Sequence, residues 1–288
     1  MSTPQPTSPQ APPSGYAMGY TEAERARLMR QAKLFEKPTR EIFLSAGLSS
    51  GMRVLDFGCG MGDVALLAAS IVGPDGQVTG VDRDARAIEC ARLRVGNSPV
   101  RFEVSDLDGL ASLASSHGPF DAVVGRLVLC HQPHPVAALR TLAPFVRPGG
   151  LIVFVEPELG IIVHTNLARP ESIRIADMVK KTLHQAGVQM GLGTQLPRIF
   201  YEAGLGWPDT SLHLVMGSGE EFDGYGFWAD TVRSLLPLTE KFGIATAAEV
   251  DVATVAERLR RELGGIKSSL ICAVHVGAWV RTPAAPSS

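Results

Sequence analysis

Apolar residues recur along the chain in short blocks that alternate between two spacings. Apolar-rich segments of strand length fall at 53–57, 78–81, 100–104, 122–124 and 151–155, as expected for the strands of a sheet. Between them lie segments with helical spacing at 63–72, 84–95, 107–116 and 136–145. Strands alternating with helices predict an α/β chain built on a parallel, doubly wound sheet.

Ahead of this region Thr21 and Glu24 form a T-x-x-E capping box, which predicts a helix from there to about residue 34 and a second short one over 39–46. After Glu156 the alternation stops. Residues 157–195 contain Pro157, Pro170 and one long amphipathic helix over 172–186, and read as an insertion lying over the sheet. A helix at 196–203, a strand near 211–215, helices within 219–236 and 251–263, and a strand at 270–280 follow. Two strands so late in the chain predict an antiparallel hairpin at one edge of the sheet, giving seven strands in all.

Composition narrows the function classes. The 288 residues carry 27 Lys and Arg against 29 Asp and Glu, a net charge of −2, which provides no field for a polyanion and argues against nucleic acid or an acidic membrane surface. Hydrophobic residues make up 45%, yet no stretch approaches the roughly 18 uncharged apolar residues of a membrane span. Cys59, Cys90, Cys130 and Cys272 are scattered without a C-x-x-C pair, and the N-terminus lacks the pattern of a secretory signal. A cytoplasmic protein with free thiols is expected. Pro4, Pro6, Pro9, Pro12 and Pro13 crowd the first 15 residues, a composition expected to stay disordered.

The chemistry concentrates at the ends of the first three strands. Asp56-Phe57-Gly58-Cys59-Gly60-Met61-Gly62-Asp63 closes strand one and opens a helix; glycines allow a tight turn, and the helix N-terminus offers unpaired N–H groups. A dinucleotide fingerprint would read G-x-G-x-x-G, and Asp63 places a carboxylate where a pyrophosphate would lie, so NAD and FAD are disfavoured. Asp56 suits an amino group instead. Asp82 ends strand two, 22 residues after Gly60, the spacing at which an acid takes a ribose diol. Asp106 follows strand three, where it either accepts from an adenine amino group or is an ordinary solvent-facing carboxylate. Cys59 reads as a packing residue, and no His/Cys/Asp/Glu cluster has metal spacing.

Together these residues resemble the class I S-adenosylmethionine-dependent methyltransferases. The likeness extends over about residues 16–160 and includes Phe120-Asp121-Ala122-Val123-Val124 and the turn Val146-Arg147-Pro148-Gly149-Gly150. It implies a Rossmann-like fold whose glycine turn holds the methionine moiety, with Asp82 on both ribose hydroxyls and Asp106 and Leu107 framing the adenine. By that resemblance Asp56, Gly58, Gly60, Asp82, Arg83, Asp106 and Leu107 form the S-adenosylmethionine set. Arg126 lines the pocket floor, and Tyr20 and Gln31 close over the cofactor. Tyr16, Gly19, Glu24, Gln31-Ala32, Leu129-Cys130-His131 and Val276-Gly277-Ala278-Trp279 are similar to small-molecule methyltransferases of bacterial secondary metabolism. These are typically dimers or higher homo-oligomers acting on a small-molecule acceptor.

On this reading the chain divides into a disordered tail (1–15), helices covering the cofactor site (16–48), the cofactor-binding core (49–156), a lid or acceptor-binding insertion with a late core strand (157–236), a C-terminal helix with the closing strand (237–281) and a second tail (282–288). His131 and Glu156 are candidate bases, His131 being equally readable as a packing or capping residue and Glu156 as a loop carboxylate. Phe222, Tyr225, Phe227 and Trp228 place four aromatics within seven residues, either as an apolar acceptor pocket or as lid core, and His164 in the insertion is a further acceptor-side candidate. The expected reaction is methylation at O, N or C of a small apolar acceptor by in-line displacement. Two alternatives stand beside it: C-methylation of a prenylated indole alkaloid through a carbocation, which aromatic faces would stabilise, and a non-methylating scaffold or cyclase.

Overall fold

A computed structural model describes residues 22–164 and 169–284, without the side chains of 22–23, 113–116 and 162–164. The tail expected over 1–15, Thr21 of the capping box, Tyr16, Gly19, Tyr20 and the side chain of His164 lie outside the described residues. The chain opens with α1 (Glu22–Ala46), then β1 (Arg53–Phe57), α2 (Asp63–Val72), β2 (Gln77–Asp82), α3 (Ala85–Arg92), β3 (Val100–Val104), α4 (Leu110–His117), β4 (Phe120–Arg126), α5 (Pro135–Leu142) and β5 (Val146–Pro157). A helical stretch follows, α6 (Leu159–His164), α7 (Pro170–Gln185) and α8 (Leu196–Glu202), then β6 (Asp209–Gly217), α9 (Gly224–Lys241), α10 (Ala247–Val250), α11 (Val255–Gly265) and β7 (Leu270–Arg281).

The seven strands form one sheet in the order β3-β2-β1-β4-β5-β7-β6. β1 to β5 are parallel, while β7 pairs antiparallel with both β5 and β6, so the edge hairpin forms as the sequence predicts. The crossover between β1 and β4 puts the carboxyl ends of these two neighbours at the point where the strand order reverses. In open α/β sheets ligands bind in the crevice beyond that point.

Alternation along β1 sends Val54 and Asp56 to one face and Leu55 and Phe57 to the other. The first face packs on α1, α2 and α3 through Ile42, Phe43, Ala65, Ala68 and Ile88. The second packs on α5, α7, α8 and α9 through Leu139, Met178, Phe200 and Val232.

Two sequence expectations change. One continuous α1 replaces the two expected helices, and it runs through Pro38. Proline there removes one N–H, but Phe35, Ile42 and Phe43 on either side are buried against the sheet and hold the helix together. Thr282, expected in the C-terminal tail, is tied down: its N–H donates to Gly150 O (2.9 Å) and its hydroxyl to Arg147 O (2.8 Å). Among the described residues no helix is long and apolar enough to cross a membrane.

Candidate functional site

The glycine turn is shaped by close approach. Gly58 has φ +70°, and a Cβ there would enter the Val128 side chain; Gly62 has φ +85° and faces the ring of Phe102 in the same way. Both positions therefore need glycine for conformation and for space. The turn is pinned to β2, because the N–H groups of Gly58 and Cys59 each donate to Val81 O at 2.9 Å. Cys59 is buried, and burial beside Asp56 and Asp82 pushes its thiol well up, consistent with a packing role.

Asp82 couples the two strand ends. Its Oδ2 accepts from Gly60 N–H and its Oδ1 from Asp84 N–H, both at 2.9 Å. Its backbone carbonyl accepts from Ser105 N–H at 3.0 Å, which brings the Asp106 loop alongside. Asp106 is exposed and its Oδ1 accepts from Gly109 N–H at 3.0 Å. Leu107 is half-buried and Arg83 exposed.

Asp56 differs from these. Its side chain is wholly buried at the end of β1, and neither carboxylate oxygen has a hydrogen-bond partner. Burial pushes its pKa from 3.8 up to about 8, against the opposing pull of Arg126. Because Asp56 pairs in register with Val124 of β4, Arg126 lies on the same face two residues further on. Its guanidinium donates to Thr39 Oγ1 (3.0 Å) and sits 5.8 Å from the centre of the Phe35 ring. No carboxylate lies within ion-pair distance of Arg126 among the described residues.

Several sequence expectations need correction. Glu156 is not an exposed loop carboxylate: fully buried, it accepts from the N–H groups of Val128 (3.2 Å), Leu129 (2.8 Å) and Cys130 (3.1 Å), and so holds the turn that carries His131. Burial raises it to about 7 although the three N–H groups oppose the rise. His131 lies beside the crevice, but burial and the Arg83 charge push it down to about 4, which makes it a weak base. Gln31 accepts from Arg27 (2.8 Å), whose guanidinium also holds the buried Glu24; Glu24 in turn accepts from Ser234 of α9 (2.6 Å). Gln31 thus belongs to the packing of α1 on α9. Asp63 pairs with Arg94 at 2.5 Å, so its charge is matched and its repulsion of a pyrophosphate is weaker than the sequence implies.

The aromatic cluster divides. Phe222 and Tyr225 pack on each other at 5.8 Å, with Arg260 of α11 lying 5.3 Å from the Tyr225 ring, at the junction of α9 and α11. Phe227 turns the other way and meets Phe35 at 5.5 Å. Trp228 is buried beside Phe227, and its indole N–H has no partner.

Sequence reasoning missed Phe35, Thr39 and His275. His275 stands on β7 opposite Pro157, buried and edge-on to Phe35 at 4.4 Å. A histidine set in the otherwise apolar run of 270–280 was the available signal. Among the described residues no group of His, Cys, Asp and Glu could hold a metal ion.

The geometry meets its relatives here. A family model described as a methyltransferase domain matches residues 48–204. Ubiquinone biosynthesis O-methyltransferase of Xanthomonas axonopodis pv. citri is 39% identical over 116 residues, 39% of this chain and 46% of the relative. The enzyme of the same name from Bordetella pertussis is 34% identical over 110 residues, 38% of this chain and 44% of the relative. The matched region thus spans less than half the length of these curated relatives.

Among solved structures, the YcgJ protein of Bacillus subtilis superposes with a TM-score of 0.53 at 16% identity, covering 86% of this chain and 98% of the other. A cyclopropane-fatty-acyl-phospholipid synthase-like protein of Lactobacillus casei gives 0.52 at 18% identity, covering 91% and 94%. Both likenesses concern the fold. S-adenosylmethionine is the cofactor of class I methyltransferases, and the residues present fit it: a partnerless buried carboxylate, a glycine turn without room for a Cβ, and an acid at the end of β2. The chain belongs to the methyltransferase-domain family, as an S-adenosylmethionine-dependent member of class I.

Proposed function

We propose that the protein transfers a methyl group from S-adenosylmethionine to a hydroxyl of a small, apolar acceptor. The observation that carries the donor half is the buried, partnerless carboxylate of Asp56 with the Arg126 guanidinium two residues further along the neighbouring strand. An ionisable carboxyl beside a guanidinium is the complement of an amino acid's ammonium and carboxylate. Asp82 retains free lone pairs for a ribose diol while holding Gly60, since a carboxylate can accept about four hydrogen bonds. Asp106 and Leu107 flank the adenine, with Gly58, Gly60 and Arg83 along the rest of the cofactor.

When bound, the cofactor supplies an electrophilic methyl group on a positively charged sulfur. The chain's own part is to hold the acceptor in line and exclude water, and such positioning is worth up to about 7–11 kcal/mol in favourable cases. Phe35 and Phe227 form an apolar wall for that acceptor. The relatives' name, O-methyltransferase, supports oxygen as the receiving atom. A place in cytoplasmic secondary metabolism follows from the motif likeness.

The same reading makes the protein a homo-oligomer through β6. This edge strand leaves Leu212, Leu214 and Met216 about half exposed, and Trp207 just before it is 72% exposed. An unpaired edge flanked by apolar side chains is complementary to a second copy of itself.

Calorimetric titration with S-adenosylmethionine, S-adenosylhomocysteine and NAD tests the donor assignment. Binding of the two sulfur compounds with silence from NAD is the expected result; binding of NAD alone refutes the reading. Incubation with methyl-labelled donor and a panel of apolar phenols then tests transfer.

A further inference from the structure

Asp56 is not the only acid beside the glycine turn. Asp63 opens α2 directly after Gly62; its side chain is 17% exposed, and its Oδ1 is buried without a hydrogen-bond partner. The helix dipole favours a carboxylate in the first turn, but this one stands at the end of α2 that continues the cofactor turn. Its charge also reaches both members of the proposed cofactor pair. It helps to raise Asp56, and it acts on Arg126 more strongly than Asp56 does. Unopposed, Asp63 would compete with a ligand carboxylate for the Arg126 guanidinium.

Arg94, two residues past the end of α3, opposes it. Its Nη2 lies 2.5 Å from Asp63 Oδ1, and its Nη1 donates to Met61 O at 2.7 Å. Because Oδ1 accepts no hydrogen bond, the first contact is one of charge, whereas the bond to Met61 fixes where the guanidinium sits. Gly62 lies between the two contacts, with φ +85° and no room for a Cβ beside the Phe102 ring. The turn it makes brings Met61 O and the Asp63 carboxylate within reach of one guanidinium, whose rigid fork suits two acceptors at once. Asp82 holds the turn from β2 through Gly60 N–H, and Arg94 holds its last residues from the α3 side.

We infer that Arg94 is a positioning residue for the amino-acid end of the cofactor: by fixing and neutralising Asp63 it leaves the Arg126 guanidinium to the ligand's carboxylate. The proposal rests on the donor assignment made above, in which Asp56 and Arg126 take the ammonium and carboxylate of the methionine moiety. The charged groups around this end are Asp56 on β1, Asp63 on α2, Asp82 on β2 and Arg126 on β4, so without Arg94 the acids outweigh the one remaining cation. The effect is confined to ligands that carry the amino acid, because the adenosine half is held further along the crevice by Asp82 and the Asp106 loop.

The test is calorimetry on the full chain with two probes, S-adenosylhomocysteine and methylthioadenosine, which keeps the adenosine and lacks the amino acid. Arg94→Gln should lose roughly ten-fold in affinity for S-adenosylhomocysteine, as expected for an unmatched charge in a partly buried site, and stay within about two-fold of wild type for methylthioadenosine. Asp63→Asn combined with Arg94→Gln removes the acid together with its partner and should recover most of that loss, the non-additivity that marks a direct interaction. Asp63→Asn alone covers the case in which Arg94→Gln fails to fold, and should bind S-adenosylhomocysteine at least as tightly as wild type. Equal losses for the two probes in Arg94→Gln, a double variant no better than the single one, or weaker binding of S-adenosylhomocysteine by Asp63→Asn overturns the proposal, since Arg94 would then serve the shape of the turn alone. Failure of the wild type to bind S-adenosylhomocysteine, or to prefer it over methylthioadenosine, overturns the donor assignment itself.

Discussion

The carboxylate of Asp82 accepts a hydrogen bond from the backbone N–H of Gly60 at 2.9 Å, so the acid that ends β2 holds the glycine turn that ends β1. The cofactor cradle thus has part of its shape before any ligand arrives, and removing Asp82 has two separable effects. Hydrogen bonds to charged groups contribute about 1.5–3 kcal/mol each. Asp82→Ala should therefore lower the melting temperature and also weaken S-adenosylhomocysteine binding by about 100-fold or more. Asp82→Asn, which keeps one acceptor oxygen, should recover more stability than affinity. Thermal melts and calorimetry on both variants check this; equal recovery of the two would mean that Asp82 acts on the fold alone.

On the proposed donor assignment, Asp56 makes cofactor binding a proton-linked event. Its pKa lies near 8 in the free protein against 3.8 ordinarily, so at pH 7 the carboxyl is mostly protonated. Pairing with an ammonium group requires the carboxylate, and binding must release a proton. Affinity should rise between pH 6 and 8 and level above that. Calorimetry in buffers of different ionisation enthalpy should register the released proton, and Asp56→Asn should abolish it. Stability moves the opposite way: a carboxyl whose folded pKa is raised favours the folded state most below 3.8, and that advantage is lost as pH rises to about 8. Chemical denaturation of the ligand-free protein at pH 6 and 8 should show the decline, and Asp56→Asn should flatten it.

Glu156 should behave as a scaffold residue. Its carboxylate serves three backbone N–H groups, and Glu156→Ala strands them, at a cost on the order of 3 kcal/mol. Melting temperature should fall and the turn bearing His131 should exchange its amides faster. Activity measured well below the new melting point should keep the wild-type pH profile, whereas a catalytic base would take a limb of that profile with it.

Gly58→Ala combines a left-handed backbone with overlap against Val128. Strain of about 1–3 kcal/mol from the backbone adds to the overpacking. The double variant Gly58→Ala with Val128→Ala should regain the packing part only, which denaturation midpoints can resolve. If the single variant is as stable as wild type, the turn is looser than its geometry indicates.

Association through β6 is checked by light scattering. Leu214→Lys places a charge in the middle of the exposed stripe and should shift the protein to monomer without changing cofactor affinity. An unchanged mass would remove β6 from the interface.

Most of the parallel half of the fold was legible because its strands are short apolar runs closed by glycine or aspartate, and both signals are local. β1 and α2 run over 53–57 and 63–72, the bounds the sequence predicts. The break expected between residues 34 and 39 is absent because local pattern marks helix ends while the burial of Phe35, Ile42 and Phe43 that joins them is tertiary. The same division separates the site residues. Asp56, Gly58, Gly60 and Asp82 belong to one contiguous spacing, and the sequence places them together. Glu156 reads as an exposed loop acid only until its three N–H partners, 26 to 28 residues earlier, are in view. His275 lies 240 residues after Phe35 in the sequence, and no local pattern connects them.

The strand order has a consequence for how the protein is made. β7 follows β6 in the chain yet lies between β5 and β6 in the sheet. During synthesis β6 therefore emerges with its exposed Leu212, Leu214 and Met216 and has no strand to pair with until residues 270–281 have also left the ribosome. Pairings this distant in sequence form slowly, and unpaired apolar strands invite association in the meantime. The strand that seals the sheet is thus the last to be made, and a nascent chain can fold the parallel strands β1 to β5 while the antiparallel edge is still being translated.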